Sequence, residues 1–315
     1  MSGQTLGMSA GRFERQPSKF REWVSADGST PYPAQAGRYH LYVSWACPWA
    51  HRTIIGRRLC GLEDAIEMSV VDPIRDERGW AFTGGEYVDP VNGFRFLSEA
   101  YAATDPAYDG RISVPVLWDT QTGRIVNNES GDVLRMFSTA FADFGTGDVD
   151  LYPEPFRDEI DALNERLYED VNNAVYQAGF ARSQEAYEEA VGRIFPALEE
   201  MDARLADRRF LFGDAPVETD WRLFTTLVRF DAVYNIHFKC SLRRIVDHAH
   251  LWPYARDLYQ QPGVAETVRF DEIRAHYYRT HPSVNPRGLV AVRPHGDFAA
   301  PHGRVRLSER ARRAA

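Results

Sequence analysis

Three short motifs hold the residue types that can do chemistry here. Cys47 directly precedes Pro48, at the point where a strand-like run gives way to a helical pattern. Proline suits the first helical position, because its missing N–H would have had no partner there. A thiol at that position faces unpaired backbone amides and the positive end of the helix dipole, and both favour thiolate. His51 and Arg52, one turn on, can add positive charge; the competing reading of Cys47 is a buried, inert cysteine. The other two cysteines read as bystanders: Cys60 falls late in the helix, where the dipole disfavours thiolate, and Cys240 sits in His237-Phe-Lys-Cys. The partner position of a Cys-x-x-Cys pair is Ala50. A lone thiolate that attacks sulfur must then be released by an external thiol, so the sequence points to a thiol cosubstrate.

Val114-Pro115 is the second motif. A cis bond there would leave the Val114 N–H and C=O open to a peptide-like ligand, whereas a trans bond makes it an ordinary edge proline. Glu129-Ser130, at a helix start, is the third. Its carboxylate can pair with an ammonium while the helix N-terminus and the hydroxyl hold a carboxylate; the plainer reading is a helix cap.

The elements that must position these motifs follow from pattern. Residues 1–37, rich in Gly, Ser, Pro and Arg, read as an extended surface arm. Arg38 to Val43 reads as a strand, Pro48 to about Leu62 as a helix stopped at Gly61, and Ala65 to Val71 as a second strand. Residues 72–111 form a long insert without clear periodicity, a length that is often functional. A hairpin over Val114–Val126 and a helix from Glu129 complete an α/β domain over 38–145. Beyond a linker, residues 150–270 read as all-helical. One helix runs through Ile160, Leu167 and Val175, another through Ala190 and Leu205, and a buried one spans Trp221 to Tyr234. Residues 271–315 read as an irregular extension.

Composition removes other classes. The length of 315 residues suggests two domains. A net charge of −8 argues against a nucleic-acid partner, and three cysteines cannot build a disulfide scaffold. The sequence shows no apolar run of membrane-spanning length and no signal-peptide core, so the expectation is a cytoplasmic protein without a membrane partner. His276 and His281 match no ligand cluster, and no metal site is expected.

Cys-Pro, Val-Pro and Glu-Ser in this order resemble the glutathione transferase version of the thioredoxin fold. Tyr39-His-Leu-Tyr-Val-Ser-Trp-Ala-Cys-Pro-Trp-Ala-His-Arg-Thr, Ile125-Val-Asn-Asn-Glu-Ser, Tyr176-Gln-Ala-Gly-Phe-Ala and His276-Tyr-Tyr-Arg-Thr-His-Pro-Ser-Val-Asn-Pro resemble, more narrowly, the glutathionyl-hydroquinone reductases, the Xi class of glutathione transferases. The resemblance implies a thioredoxin-like α/β domain followed by an all-α domain, in a homodimer. It implies that Cys47 attacks the sulfur of a glutathionyl-hydroquinone, and that a second glutathione resolves the mixed disulfide. Glutathione is then a cosubstrate rather than a bound cofactor. By the same resemblance Val114, Glu129, Ser130 and Trp80 hold glutathione, while Tyr176 and one of Tyr277 and Tyr278 face the aromatic substrate. The rival activity is that of a cysteine-type, omega-like transferase acting on dehydroascorbate, mixed disulfides or glutathionyl ketones.

The sequence departs from the family pattern in two places. The core helix of the second domain lacks the usual Ser/Thr-x-x-Asp box, since Val217 stands where the hydroxyl belongs, and Thr219 is expected to take over the cap. The basic end from Arg304 to Arg313 is expected to be a solvated tail.

Overall fold

The computed structural model describes residues 7–9 and 11–308. The chain divides into two compact units. The first contains Gln16–Leu151 and Glu266–Thr280, and the second holds the start of the arm, Tyr152–Ala265 and the chain from His281 on.

The arm therefore does not act as one surface strap. Its first part forms a hairpin, β1 (Gly7–Ser9) and β2 (Arg12–Glu14), in the second unit. There Phe13 is buried, within ring contact of Tyr176 and Phe180. Its second part belongs to the first unit, where β3 (Val24–Ser25) pairs in parallel with β4 (Tyr32–Pro33).

The sheet of the first unit has the order β6 (Glu67–Val70), β5 (Tyr39–Val43), β7 (Val116–Asp119), β8 (Arg124–Asn127). β5 runs parallel to β6 and antiparallel to β7, which returns through a turn at Gly123 into antiparallel β8. β5 and β7 are buried along their whole lengths, as central strands covered on both faces are. Arg38 and Asp119, also buried, close the end of this pair with two parallel hydrogen bonds of 2.9 and 2.7 Å. Helix α1 (Pro48–Leu59) connects β5 to β6. It ends on Arg57 and Arg58, which suit the negative end of its dipole. Gly56 lets α1 close on the later helix α3 (Ser130–Ser138), since a Cβ there would run into Leu134.

The insert 72–111 is more ordered than its sequence suggests. It contains helix α2 (Ser98–Thr104), too short to show a period. Asp89 organises the loop before it, accepting the Tyr42 hydroxyl at 2.9 Å and the amides of Val91, Asn92 and Phe94.

In the second unit the helix expected through Ile160, Leu167 and Val175 is two helices. α4 (Arg157–Leu167) passes through a π-helical turn, Tyr168–Asn172, before α5 (Ala174–Phe180). The wider turn goes with Asn172 pointing inward, where its amide donates to Thr226 Oγ1 at 2.8 Å. α6 (Gln184–Arg204) is capped by Ser183, and α7 (Glu218–Arg229) runs into a second π-helical turn, Phe230–Tyr234. α8 (Leu251–Tyr259) follows.

Two expectations about the C-terminus are corrected. The extension is not irregular from its start: α9 (Phe270–Thr280) is a helix belonging to the first unit, with Ile273, His276, Tyr277 and Tyr278 on its buried side, and residues 281–304 that follow are irregular as expected. Arg304 is not a solvated tail residue either. It is 4% exposed, and its guanidinium donates to the carbonyls of Leu205, Arg208 and Arg209 just past the end of α6. Carbonyls left over at a helix C-terminus need donors, and this arginine supplies them. Residues beyond Ser308, including Arg313, lie outside the described residues. No helix among the described residues is long and apolar enough to cross a membrane.

Candidate active site

Cys47 occupies the N-cap position of α1 in extended backbone (φ −77°, ψ 122°), and no side chain caps the helix. Pro48 takes the first helical position, and the His51 amide makes the first intrahelical bond, to the Cys47 carbonyl at 2.9 Å. The thiol is half-buried, and its Sγ donates to the Val114 carbonyl at 3.7 Å. The Val114–Pro115 peptide is cis, which decides the question the sequence left open. The first two motifs therefore meet at one point. The Val114 amide has no hydrogen-bond partner among the described residues.

Glu129 is the N-cap of α3, and its Oε1 accepts the Gly131 amide at 3.2 Å. It is half-buried, while Ser130 is buried behind it. Arg52 ties this turn to α1: its guanidinium lies over the Trp49 ring at 4.3 Å and reaches Ser130 Oγ at 3.4 Å. His51, on the first turn of α1, lies against Thr267: it is fully buried, and its Nε2 is hydrogen-bonded to Thr267 Oγ1 at 2.8 Å.

The two other cysteines are sealed. Burial, with the Glu63 carboxylate adding to it, pushes the Cys60 thiol up to about 12. Burial also pushes the Cys240 thiol far up, and its Sγ points to the Phe238 carbonyl at 3.9 Å.

The remaining sequence-derived residues sit in packed surroundings. Trp80 is 4% exposed, with its ring stacked on His276 at 5.1 Å and the Arg75 guanidinium 5.3 Å from its centre. Tyr277 and Tyr278 are both buried on α9, and burial pushes the Tyr278 hydroxyl up to about 12. Tyr176 belongs to the second unit. There it packs among Phe13, Phe180, Tyr234 and Phe238, with the Arg15 guanidinium 4.9 Å from its ring.

Sequence reasoning missed the arm's part in this region. Ser18 donates to Glu129 Oε2 at 2.9 Å, and Arg21 grips Asp132 with bonds of 2.8 and 2.7 Å. A Gly/Ser/Pro-rich stretch carries no periodicity that could have announced these contacts.

Comparisons with known proteins give the family. Residues 46–140 match the family model of the glutathione S-transferase N-terminal domain, and residues 184–257 that of the C-terminal domain. The glutathionyl-hydroquinone reductase YqjG of Escherichia coli is 49% identical over 304 residues, covering 93% of this chain and 92% of its own. The structure of YqjG with glutathione bound superposes with a TM-score of 0.89 over 91% of this chain and 96% of that one. The glutathionyl-hydroquinone reductase PcpF of Sphingobium chlorophenolicum is 47% identical, with 91% of each chain covered. The structure of a Xi-class transferase from Natrialba magadii is 52% identical, with a TM-score of 0.91 over 94% of this chain and 93% of that one. The chain belongs to the glutathione S-transferases, within the Xi class that also holds the glutathionyl-hydroquinone reductases.

Proposed function

We propose that this chain is a glutathionyl-hydroquinone reductase that works through Cys47. The observation that carries the reading is a single cysteine at the uncapped start of α1, with its sulfur 3.7 Å from the carbonyl of Val114. The Cys47 thiolate attacks the glutathionyl sulfur. The carbon–sulfur bond breaks, its electron pair stays with the aromatic ring, and a proton adds at the ring carbon to give the hydroquinone. Cys47 is left in a mixed disulfide with glutathione. A second glutathione thiolate attacks the glutathione sulfur of that disulfide, giving glutathione disulfide and restoring the Cys47 thiolate.

The cysteine inventory favours resolution by an external thiol. Cys60 follows the far end of α1, and twelve residues of helix separate the two positions by about 18 Å. Cys240 is buried in the other unit. No second thiol is set to close a disulfide on Cys47 before a free glutathione can.

Glutathione recognition follows from the same elements. The Val114 amide offers a donor to the backbone of glutathione, and Glu129 with the start of α3 suits its γ-glutamyl ammonium and carboxylate. Trp80, Tyr176 and the Tyr277–Tyr278 pair enter the reading from the family resemblance, as ligand-facing aromatics. A homodimer enters in the same way, and a cytoplasmic setting enters from the composition of the sequence.

Intact mass spectrometry after mixing with a glutathionyl-hydroquinone and no free thiol tests the reading. One glutathionyl adduct located on Cys47, with free hydroquinone released, is expected. Absence of the adduct, or faster turnover of dehydroascorbate than of glutathionyl-hydroquinones, would overturn it.

A further inference from the structure

We propose that the N-terminal arm is part of the glutathione site, with Ser18 as the positioning residue that aims the carboxylate of Glu129. This rests on the reading of Glu129 as the group that receives the γ-glutamyl ammonium.

The arm reaches Glu129 alongside β8, the edge of the sheet, where Arg21 makes a single antiparallel bridge with Asn127. Backbone bonds run from the Asn128 amide to the Phe20 carbonyl at 3.0 Å and from the Glu22 amide to the Val126 carbonyl at 3.1 Å. Side chains of the turn before α3 complete the ladder. Asn128 Oδ1 accepts the Phe20 amide at 3.2 Å, and Asn127 Nδ2 donates to the Glu22 carbonyl at 3.0 Å. The Arg21–Asp132 pair fixes the arm to the first turn of α3, and the Phe20 ring packs against Tyr101 and Tyr108.

Ser18 is delivered by this ladder. Its hydroxyl donates to Glu129 Oε2 at 2.9 Å and lies 3.2 Å from the Asn128 carbonyl. The Gly131 amide holds the other oxygen, Oε1. The carboxylate is thus gripped at both ends, by the arm at Oε2 and by the first residues of the helix it caps at Oε1. Each carboxylate oxygen can accept two hydrogen bonds; Oε1 takes the Gly131 amide and, at 3.5 Å, the Ser130 hydroxyl, so the capacity left for an ammonium lies on Oε2, the oxygen that Ser18 holds. A glutamate side chain free to rotate would have to be ordered when the ligand binds; here that ordering is present beforehand. Asn127 Oδ1 adds to it by accepting the Glu129 amide at 2.7 Å, which fixes the backbone beneath the side chain.

The geometry makes Ser18 act through Glu129 and not through the fold, and this separates it from a merely structural serine. The test measures glutathione binding by titration calorimetry for the full chain and for Ser18→Ala, Ser18→Thr, Glu129→Ala and the double variant Ser18→Ala/Glu129→Ala. Expected for Ser18→Ala is a Kd about tenfold higher, equivalent to about 1.4 kcal/mol, with an unchanged melting temperature. Steady-state kinetics should show the loss in KM for glutathione and not in kcat. Ser18→Thr keeps the hydroxyl and should restore binding. In the Glu129→Ala background, where there is no carboxylate to aim, removing the Ser18 hydroxyl should cost nothing further. Unaltered binding by Ser18→Ala, or the same extra loss in the Glu129→Ala background as in the wild type, would overturn the positioning role. A wild-type chain that bound no glutathione would instead remove the functional reading beneath it.

Discussion

Two helix starts in this molecule solve the same physical problem in opposite ways. At the start of α1 no side chain caps the first turn, Pro48 removes one donor, and a half-buried thiol stands at the N-cap. At the start of α7 one buried carboxylate gathers donors from inside the unit. Asp220 is fully buried, and its carboxylate accepts the Val217 amide at 2.8 Å, the Leu211 amide at 2.9 Å and the Tyr254 hydroxyl at 2.7 Å. Burial pushes the Asp220 carboxyl up to about 6 against the pull of these donors. An uncapped helix start keeps its field and its amides for a reacting sulfur. A saturated one holds the unit together. Damage to the first should therefore appear in rate, and damage to the second in stability.

The largest effect expected is at the open start. Cys47→Ser replaces sulfur by oxygen, which cannot form the mixed disulfide, and reduction of a glutathionyl-hydroquinone should fall by at least about a thousandfold. Glutathione binding and melting temperature should stay near wild type, because the hydroxyl fills the same position. A rate within tenfold of wild type would mean that the chemistry does not pass through Cys47. At the saturated start the signs reverse. Asp220→Asn keeps one acceptor oxygen but turns an amide donor toward a donor, leaving a buried polar group unpaired. Stability should drop by about 2–3 kcal/mol in urea denaturation, with kcat per folded molecule unchanged. Equal stability would show that the buried carboxylate does not hold the start of α7.

This contrast was only half legible in the sequence, and the reason is range. Cys47-Pro48, the turn at Gly123 and the Glu129 cap are local, since each is decided by residues a few positions apart. Thr219 shows how even a local reading misses when tertiary contacts intervene. It was expected to take over the cap, yet Val217 stays at the N-cap and the Thr219 hydroxyl is buried without a hydrogen bond. The start did not shift because Asp220 is anchored by Leu211 and Tyr254, and Tyr254 lies 34 positions away. The Ser18–Glu129 bond spans 111 positions, and Arg304 meets the carbonyl of Leu205 across 99. Nothing periodic marks either end of such pairs. α9 escaped notice because its buried side, Ile273, His276, Tyr277 and Tyr278, holds a single aliphatic residue, and it becomes evident only where the helix returns to the first unit.

The smallest expected effect refines the comparison by making the saturated start more complete. Val217 is buried at the N-cap of α7 and contributes no hydroxyl, so the reciprocal half of the capping box is missing while the Asp220 half is present. The Asp220 amide instead bonds to the Val217 carbonyl at 3.0 Å. Val217→Thr is nearly isosteric and places an oxygen where that amide can donate to it. The gain is bounded on one side by the value of a cap, about 1 kcal/mol, and on the other by the cost of burying a hydroxyl. A rise in stability of about 0.5 kcal/mol is expected, read as a higher urea midpoint at constant slope. A fall would mean that the start of α7 is already complete, with Asp220 and its three donors leaving nothing for a second cap to add. The turnover rate should not respond in either case, since no residue of this start lies in the unit that holds Cys47.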